Sequence, residues 1–146
     1  MKFFHIIASL AIIVIAAAEG EKHGLQYKCT SFDLNKYVDA PMKRNATVLS
    51  ADCPDVNNRR VNATLDLHQC IVNNHGVLQW RDKGNHNGYQ CALDIPPNKK
   101  DPISMRCYMP GSSDTSQIDI SNGIILLPNG AFGCYENIGP SNVFPW

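Results

Sequence analysis

After its first eighteen residues the chain has no apolar run of the roughly 20 residues that a membrane helix needs. It has no excess of charge of one sign: Lys2 is one of 13 Lys plus Arg, set against 13 Asp plus Glu. That balance gives no electrostatic case for nucleic acid or for an acidic membrane surface. Lys99-Lys100 is too short a basic run to change this. There is no Cys-x-x-Cys pair, which argues against a zinc knuckle or a thioredoxin-like redox centre. His68, His75 and His86 do not fall in a His-x-x-x-His or His-Glu-x-x-His spacing, so no metal is expected. Neither a Gly-x-Ser-x-Gly elbow nor a Gly-rich phosphate loop occurs. The expectation is a protein without cofactor or catalytic residues, not an enzyme. No long stretch keeps a 3.6-residue period, which argues against a helical fold.

What is present begins with MKFFHIIASLAIIVIAAAEG. A lysine, a short apolar run and Ala16-Ala17-Ala18 read as a secretory signal peptide over 1–18, cleaved after Ala18. The C-terminal residues, with their Asn and Pro, do not read as a lipid-anchor tail. The expected location is therefore extracellular. The remaining chain of about 128 residues is one domain, or two small interlocked halves. Its six cysteines, Cys29, Cys53, Cys70, Cys91, Cys107 and Cys134, are expected as three disulfides in an oxidising compartment. Six cysteines allow about 15 pairings, and spacing alone does not choose among them. Asn45-Ala-Thr47 and Asn62-Ala-Thr64 are glycosylation sequons.

The chain also repeats itself. Cys107 follows Cys53 by 54 residues, and Gly130 follows Gly76 by the same 54. Leu65-Asp66-Leu67 recurs as Ile118-Asp119-Ile120 at an offset of 53. Cys29 and Cys91 correspond at 62, so the first copy carries extra residues, Asn45 among them. Two copies are too few for a solenoid and suit a pseudo-symmetric pair. Val77-Leu78-Gln79-Trp80 alternates as a half-buried strand does, with Leu78 and Trp80 on one face. Asn74-His75-Gly76 and Pro128-Asn129-Gly130 supply the turns. Asp66 and Asp119 are expected to cap short turns and not to act as catalytic carboxylates. Residues 81–88 join the copies. The tail after residue 136 is expected to be an extension and not a strand.

These anchors, taken in order, resemble the cyanovirin-N family. That family repeats a Cys–Cys strand pair, an Ile-Asp-Leu segment, an Asn-x-Asp-Gly turn and a Leu-Lys-Trp/Tyr strand. Here the matching residues are Leu65-Asp66-Leu67, Ile71, Asn73, Gly76, Leu78 and Trp80, followed by Cys91. The resemblance covers residues 25–136, with repeats over about 25–80 and 89–135 in a domain of 19–136, and leaves 137–146 outside it. It implies an all-β, pseudo-two-fold fold with short single-turn helices, in which the halves exchange elements. It implies disulfides Cys29–Cys53 and Cys91–Cys107 and, with those fixed, Cys70–Cys134. This third bridge is a departure from the founding member.

The resemblance further implies a lectin that binds oligosaccharides or glycoproteins, mannose-containing glycans among them. One pocket is expected near each end, and no metal. One end would use Asn73, Asn74, His75, Asn85, His86, Tyr89, Gln90, Tyr108 and Ser112. The other would use Tyr27, Lys28 and Asn129, but it has Pro54 and Val56 where the family has Glu and Thr. His75 likewise replaces the turn Asp. The alternative is a secreted interaction or structural protein on the same scaffold, its sugar sites degenerate. The family also implies a monomer or a domain-swapped dimer, with Arg81–Gly88 as the hinge.

Overall fold

The computed structural model describes residues 24–34 and 47–143. The signal peptide over 1–18, the Asn45 sequon and the last three residues lie outside the described residues. No described helix is long and apolar enough to cross a membrane.

A single helical turn, α1 (Leu25–Lys28), leads into β1 (Thr30–Leu34). With β2 (Val48–Pro54), β3 (Arg60–Asp66) and β12 (Ser141–Val143) it forms an antiparallel sheet in the order β1-β2-β3-β12. A second antiparallel sheet contains β6 (Tyr89–Asp94), β7 (Ser104–Tyr108) and β8 (Thr115–Asp119), in that order. Two hairpins complete the fold. One joins β4 (Ile71–Asn74) to β5 (Val77–Trp80). The other joins β9 (Ile125–Leu126) to β10 (Phe132–Cys134), with β11 (Asn137–Ile138) on its flank.

The strands follow the period-two alternation of the sequence. In β3, Val61, Ala63 and Leu65 are buried, while Asn62 and Thr64 point away from the core. The Nδ2 of the half-buried Asn62 reaches Asp52 Oδ1 at 3.3 Å. Each first strand breaks register against its neighbour, between Thr30 and Asp33 in β1 and between Tyr89 and Ala92 in β6. In the turn from β2 to β3, Asp55 Oδ1 accepts from the amides of Asn57 and Arg59, and Oδ2 accepts from Arg59 Nε. Burial pushes this carboxyl up, but the bonds from Arg59 and Asn57 together outweigh it and hold it below the usual value.

Asp66 and Asp119 are caps. Asp66 Oδ1 accepts from His68 N at 3.0 Å over the 3-10 turn Leu67–Gln69. Asp119 Oδ1 accepts from Ser121 N at 2.8 Å over the turn Ile120–Asn122. The following residues of the two copies are then exchanged. The β4–β5 hairpin of the first copy packs on β8 of the second, where Leu78 N donates to Ser116 Oγ at 2.9 Å. The β9–β10 hairpin of the second copy packs on β3 of the first, and Val56 N donates to Pro128 O at 2.6 Å. One core runs through both halves, from Leu49 and Leu65 through Leu67, Ile71 and Leu78 to Met105, Ile120 and Phe132.

The exchange places two pairs at equivalent positions. In one, the Trp80 ring covers Gly123, where a Cβ would overlap the indole. In the other, Cys70 and Cys134 occupy the matching sites and are joined by a disulfide, with Cα atoms 6.2 Å apart. Cys29–Cys53 and Cys91–Cys107 close the strand pairs within each copy.

The tail departs from expectation. It is not a bare extension: β11 pairs with β10, and β12 pairs with β3 from Val61 to Ala63, adding a fourth strand to the first sheet. The reason is that β3 leaves a free edge that β2 does not cover, and backbone groups on a sheet edge take a partner when the chain passes beside them. The joining segment is also fixed along its length. Arg81 N, Gly84 N and His86 N donate to Cys70 O, Gln69 O and Ile71 O at 2.8, 2.7 and 2.9 Å.

Candidate functional site

The end carrying the β4–β5 turn is built from local bonds. Asn73 Oδ1 accepts from Gly76 N at 2.7 Å, the Asx bond that an Asn at this place provides. Its Nδ2 donates to Asn87 Oδ1, also at 2.7 Å, so the side chain joins the turn to the segment between the copies. Asn74 Nδ2 donates to Gln79 Oε1 at 3.1 Å, and His75 Nδ1 lies 2.8 Å from Asn74 Oδ1. His75 has φ 52° and Gly76 φ 88°, and the space beside Gly76 is open. The turn therefore stands free of the sheets.

Two residues beyond Asn87, Tyr89 faces Tyr108 across β6 and β7. Their rings stack with centroids 5.9 Å apart and an interplanar angle of 27°. They are 45% and 42% exposed, so apolar faces reach solvent. Beside Tyr108 is an open cleft of about 210 Å³ lined by Gln90, Ala92, Arg106, Tyr108 and Thr115. Arg106 is held by Asp94 through two close bonds of 2.7 and 2.8 Å, which also raise the guanidinium above its ordinary pKa. The cleft combines one aromatic face, that of Tyr108, with an oriented guanidinium, an amide and a hydroxyl. Such a set suits a neutral polyhydroxylated ligand, which offers ring C–H groups to an aromatic face and hydroxyls to polar groups.

Of the residues anticipated at this end, Asn73, Asn74, His75, Tyr89, Gln90 and Tyr108 lie on the turn or on the adjoining sheet face. Asn85 is exposed in the joining segment. Ser112 sits in the β7–β8 loop, its Oγ accepting from Asp114 N at 3.0 Å. His86 is the exception. It is 0% exposed and packs against His68 with ring centroids 5.1 Å apart, so no ligand at this surface reaches it. Burial, then the neighbouring His68, pull its imidazole down to about 4, partly offset by Asp66. Sequence reading missed Asn87, Arg106 and Thr115. Arg106 was within reach, because it lies two residues from Tyr108 on one strand and so shares its face.

A ring nitrogen of His86 and the sulfurs of Cys91 and Cys107 lie within 4.8 Å of one another, but both cysteines are bound in their disulfide. A disulfide sulfur is not the thiolate that a metal needs.

The opposite end differs. Asn129 Oδ1 accepts from Ala131 N at 3.1 Å, as its turn role predicts. This turn is seated on the first sheet, however. A Cβ on Gly130 would overlap the Val61 side chain, and Val56 N is bonded to Pro128 O. Lys28 ends α1, its carbonyl 3.5 Å from Arg60 Nη1. Tyr27 lines a different cavity, shared with Gln26, Lys100, Asp119 and Ser121.

Comparisons agree with this architecture. The family model described as the CVNH domain matches residues 29–132. Solved structures share the fold. The Gibberella zeae CVNH protein is 19% identical with a TM-score of 0.56, over 76% of this chain and 96% of that one. Microvirin, solved as a mannobiose complex, is 21% identical with a TM-score of 0.52, over 74% and 95%. A MoCVNH3 variant solved with (N-GlcNAc)4 is 10% identical with a TM-score of 0.50, over 77% and 97%. Comparison with curated proteins finds no match. With the duplicated sheets, the exchanged hairpins and a family model spanning most of its length, this chain belongs to the CVNH, or cyanovirin-N homology, family.

Proposed function

We propose that this protein is a secreted, non-enzymatic lectin that binds oligosaccharides at the end formed by the β4–β5 turn and the Tyr89–Tyr108 face. The observation that carries the reading is the exposed Tyr pair bordering a cleft that also holds Gln90, Arg106 and Thr115. Stacking on an aromatic ring binds the apolar face of a sugar, while the amide, guanidinium and hydroxyl exchange bonds with its hydroxyls. The mannobiose and (N-GlcNAc)4 complexes of two structural relatives support the same ligand class, with mannose-containing and N-acetylglucosamine glycans as the first candidates. Export is supported by the leader and by three disulfides. Glycans at Asn45 and Asn62 belong to the same proposal.

A glycan array on the protein lacking residues 1–18, followed by calorimetry on the best ligand, tests it. Binding that Tyr108→Ala weakens at least tenfold supports the lectin. A blank array at high protein concentration would overturn it and favour the protein-interaction alternative.

A further inference from the structure

Of the described residues that line the cleft beside Tyr108, Arg106 alone carries a charge. A bare guanidinium in such a place is an anion site, because its paired N–H groups match the oxygens of a carboxylate, sulfate or phosphate. Here that match is already made from within the chain. Arg106 Nε donates to Asp94 Oδ2 at 3.2 Å, and Nη2 donates to Oδ1 at 2.7 Å and to Oδ2 at 2.8 Å. Nη1 has no partner among the described residues and is left to donate to a ligand.

The sheet sets this geometry. Ala92 on β6 lies opposite Arg106 on β7, and Asp94 stands two residues on from Ala92, on the same face. The two charges therefore meet diagonally across neighbouring strands. A singly bonded ion pair at a surface is commonly loose, but a fork with both carboxylate oxygens engaged keeps its orientation. Both side chains stay within reach of a ligand, 49% exposed for Arg106 and 39% for Asp94. The duplication marks the pair as an addition to this half. At the offset of 54 Arg106 corresponds to Asp52, and at the offset of 62 Asp94 corresponds to Phe32. The first copy has no such pair at the matching places, so the repeated scaffold does not require one.

We propose, taking the Tyr108 cleft as the sugar site, that Asp94 sets its charge selectivity: by filling the Arg106 fork it makes the cleft bind neutral glycans and reject those bearing carboxylate, sulfate or phosphate. Asp94 is a positioning residue. It neutralises Arg106, leaves Nη1 for ligand hydroxyls, and meets an incoming anion with like charge.

The test is an array of neutral oligosaccharides, mannobiose and (N-GlcNAc)4 among them, printed beside sulfated, phosphorylated and uronic-acid oligosaccharides. It is probed with the protein lacking residues 1–18 and with its variants. The wild type should favour the neutral set. Asp94→Ala opens the fork and leaves a positive charge unpaired, so anionic signals should rise at least about tenfold relative to neutral ones. Asp94→Glu keeps a carboxylate and should retain the wild-type ratio. Asp94→Ala combined with Arg106→Gln should lose the gain. A purely structural role for Asp94 would lower all signals together in Asp94→Ala with the ratio unchanged, and that result overturns the proposal. So does a wild type that binds anionic glycans best. Either result leaves the lectin reading standing, whereas an array blank for the wild type and every variant overturns both.

Discussion

The indole N–H of Trp80 donates to the carbonyl oxygen of Asp119 across 3.0 Å, so the hairpin of one copy is tied to the capped turn of the other. The ring at the same time covers Gly123. Trp80→Phe keeps an apolar ring but leaves that carbonyl without its donor. The expected cost is about 1–3 kcal/mol. Gly123→Ala drives a methyl into the ring, with an expected cost also of about 1–3 kcal/mol from overpacking. Urea unfolding should show both as lowered midpoints with unchanged slope. An unshifted midpoint in either variant would contradict the packing described.

His86 should make the protein acid-sensitive. Its imidazole is at about 4 in the folded protein against an ordinary 6.5, because it is buried beside His68, and Asp66 offsets this only in part. Between those values the unfolded chain binds the proton and the folded chain does not. The contribution is therefore complete above about pH 6.5 and is lost as pH falls through about 4. Linkage puts it at roughly 2–3 kcal/mol. Denaturant midpoints from pH 7 to pH 4 should fall in the wild type and stay much flatter in His86→Leu. Equal slopes in the two would remove His86 as the cause.

The Cys70–Cys134 bridge spans 64 residues and joins the two copies. Replacing both cysteines by alanine frees a long loop in the unfolded state, and a loss of about 2–4 kcal/mol is expected. Guanidinium unfolding of the double variant, with the other two disulfides confirmed intact by mass, measures it. A loss under about 1 kcal/mol would mean that the exchanged hairpins hold the halves together without it.

At the Tyr89–Tyr108 face, Asn73→Ala removes both the Asx bond to Gly76 and the bond to Asn87. Oligosaccharide affinity should drop severalfold, while Asn129→Ala at the seated turn should leave it within twofold. Calorimetry against the best array ligand decides between these outcomes. Equal losses in the two variants would show that both ends bind alike.

Much of the local structure was legible in the residues. Asp66 and Asp119 cap the turns they precede, and Asn73 and Asn129 close theirs by bonds to amides two or three residues on. Gly76 and Gly130 both adopt positive φ, at 88° and 79°. These features depend on atoms a few bonds apart along the chain, so a short stretch of sequence specifies them. The duplication of Cys53 and Cys107, and of the two Asp triplets, likewise pointed to a pseudo-symmetric pair of copies.

Tertiary structure decided what those equivalent parts do. The Gly76 turn is open and the Gly130 turn is pressed against Val61, although both place a positive-φ glycine at the same point of the repeat. His68 and Ser121 correspond at the offset of 53, yet His68 packs against His86 and Ser121 borders a cavity. The tail becomes β11 and β12 because edges of distant strands are there to receive it. Exposure is set by which remote residues pack on a given atom, and residues dozens of positions apart carry no local mark of their meeting. The sequence by itself therefore determined the repeated turns, caps and strand faces, whereas the exchange of hairpins decided which of the equivalent polar groups reach solvent.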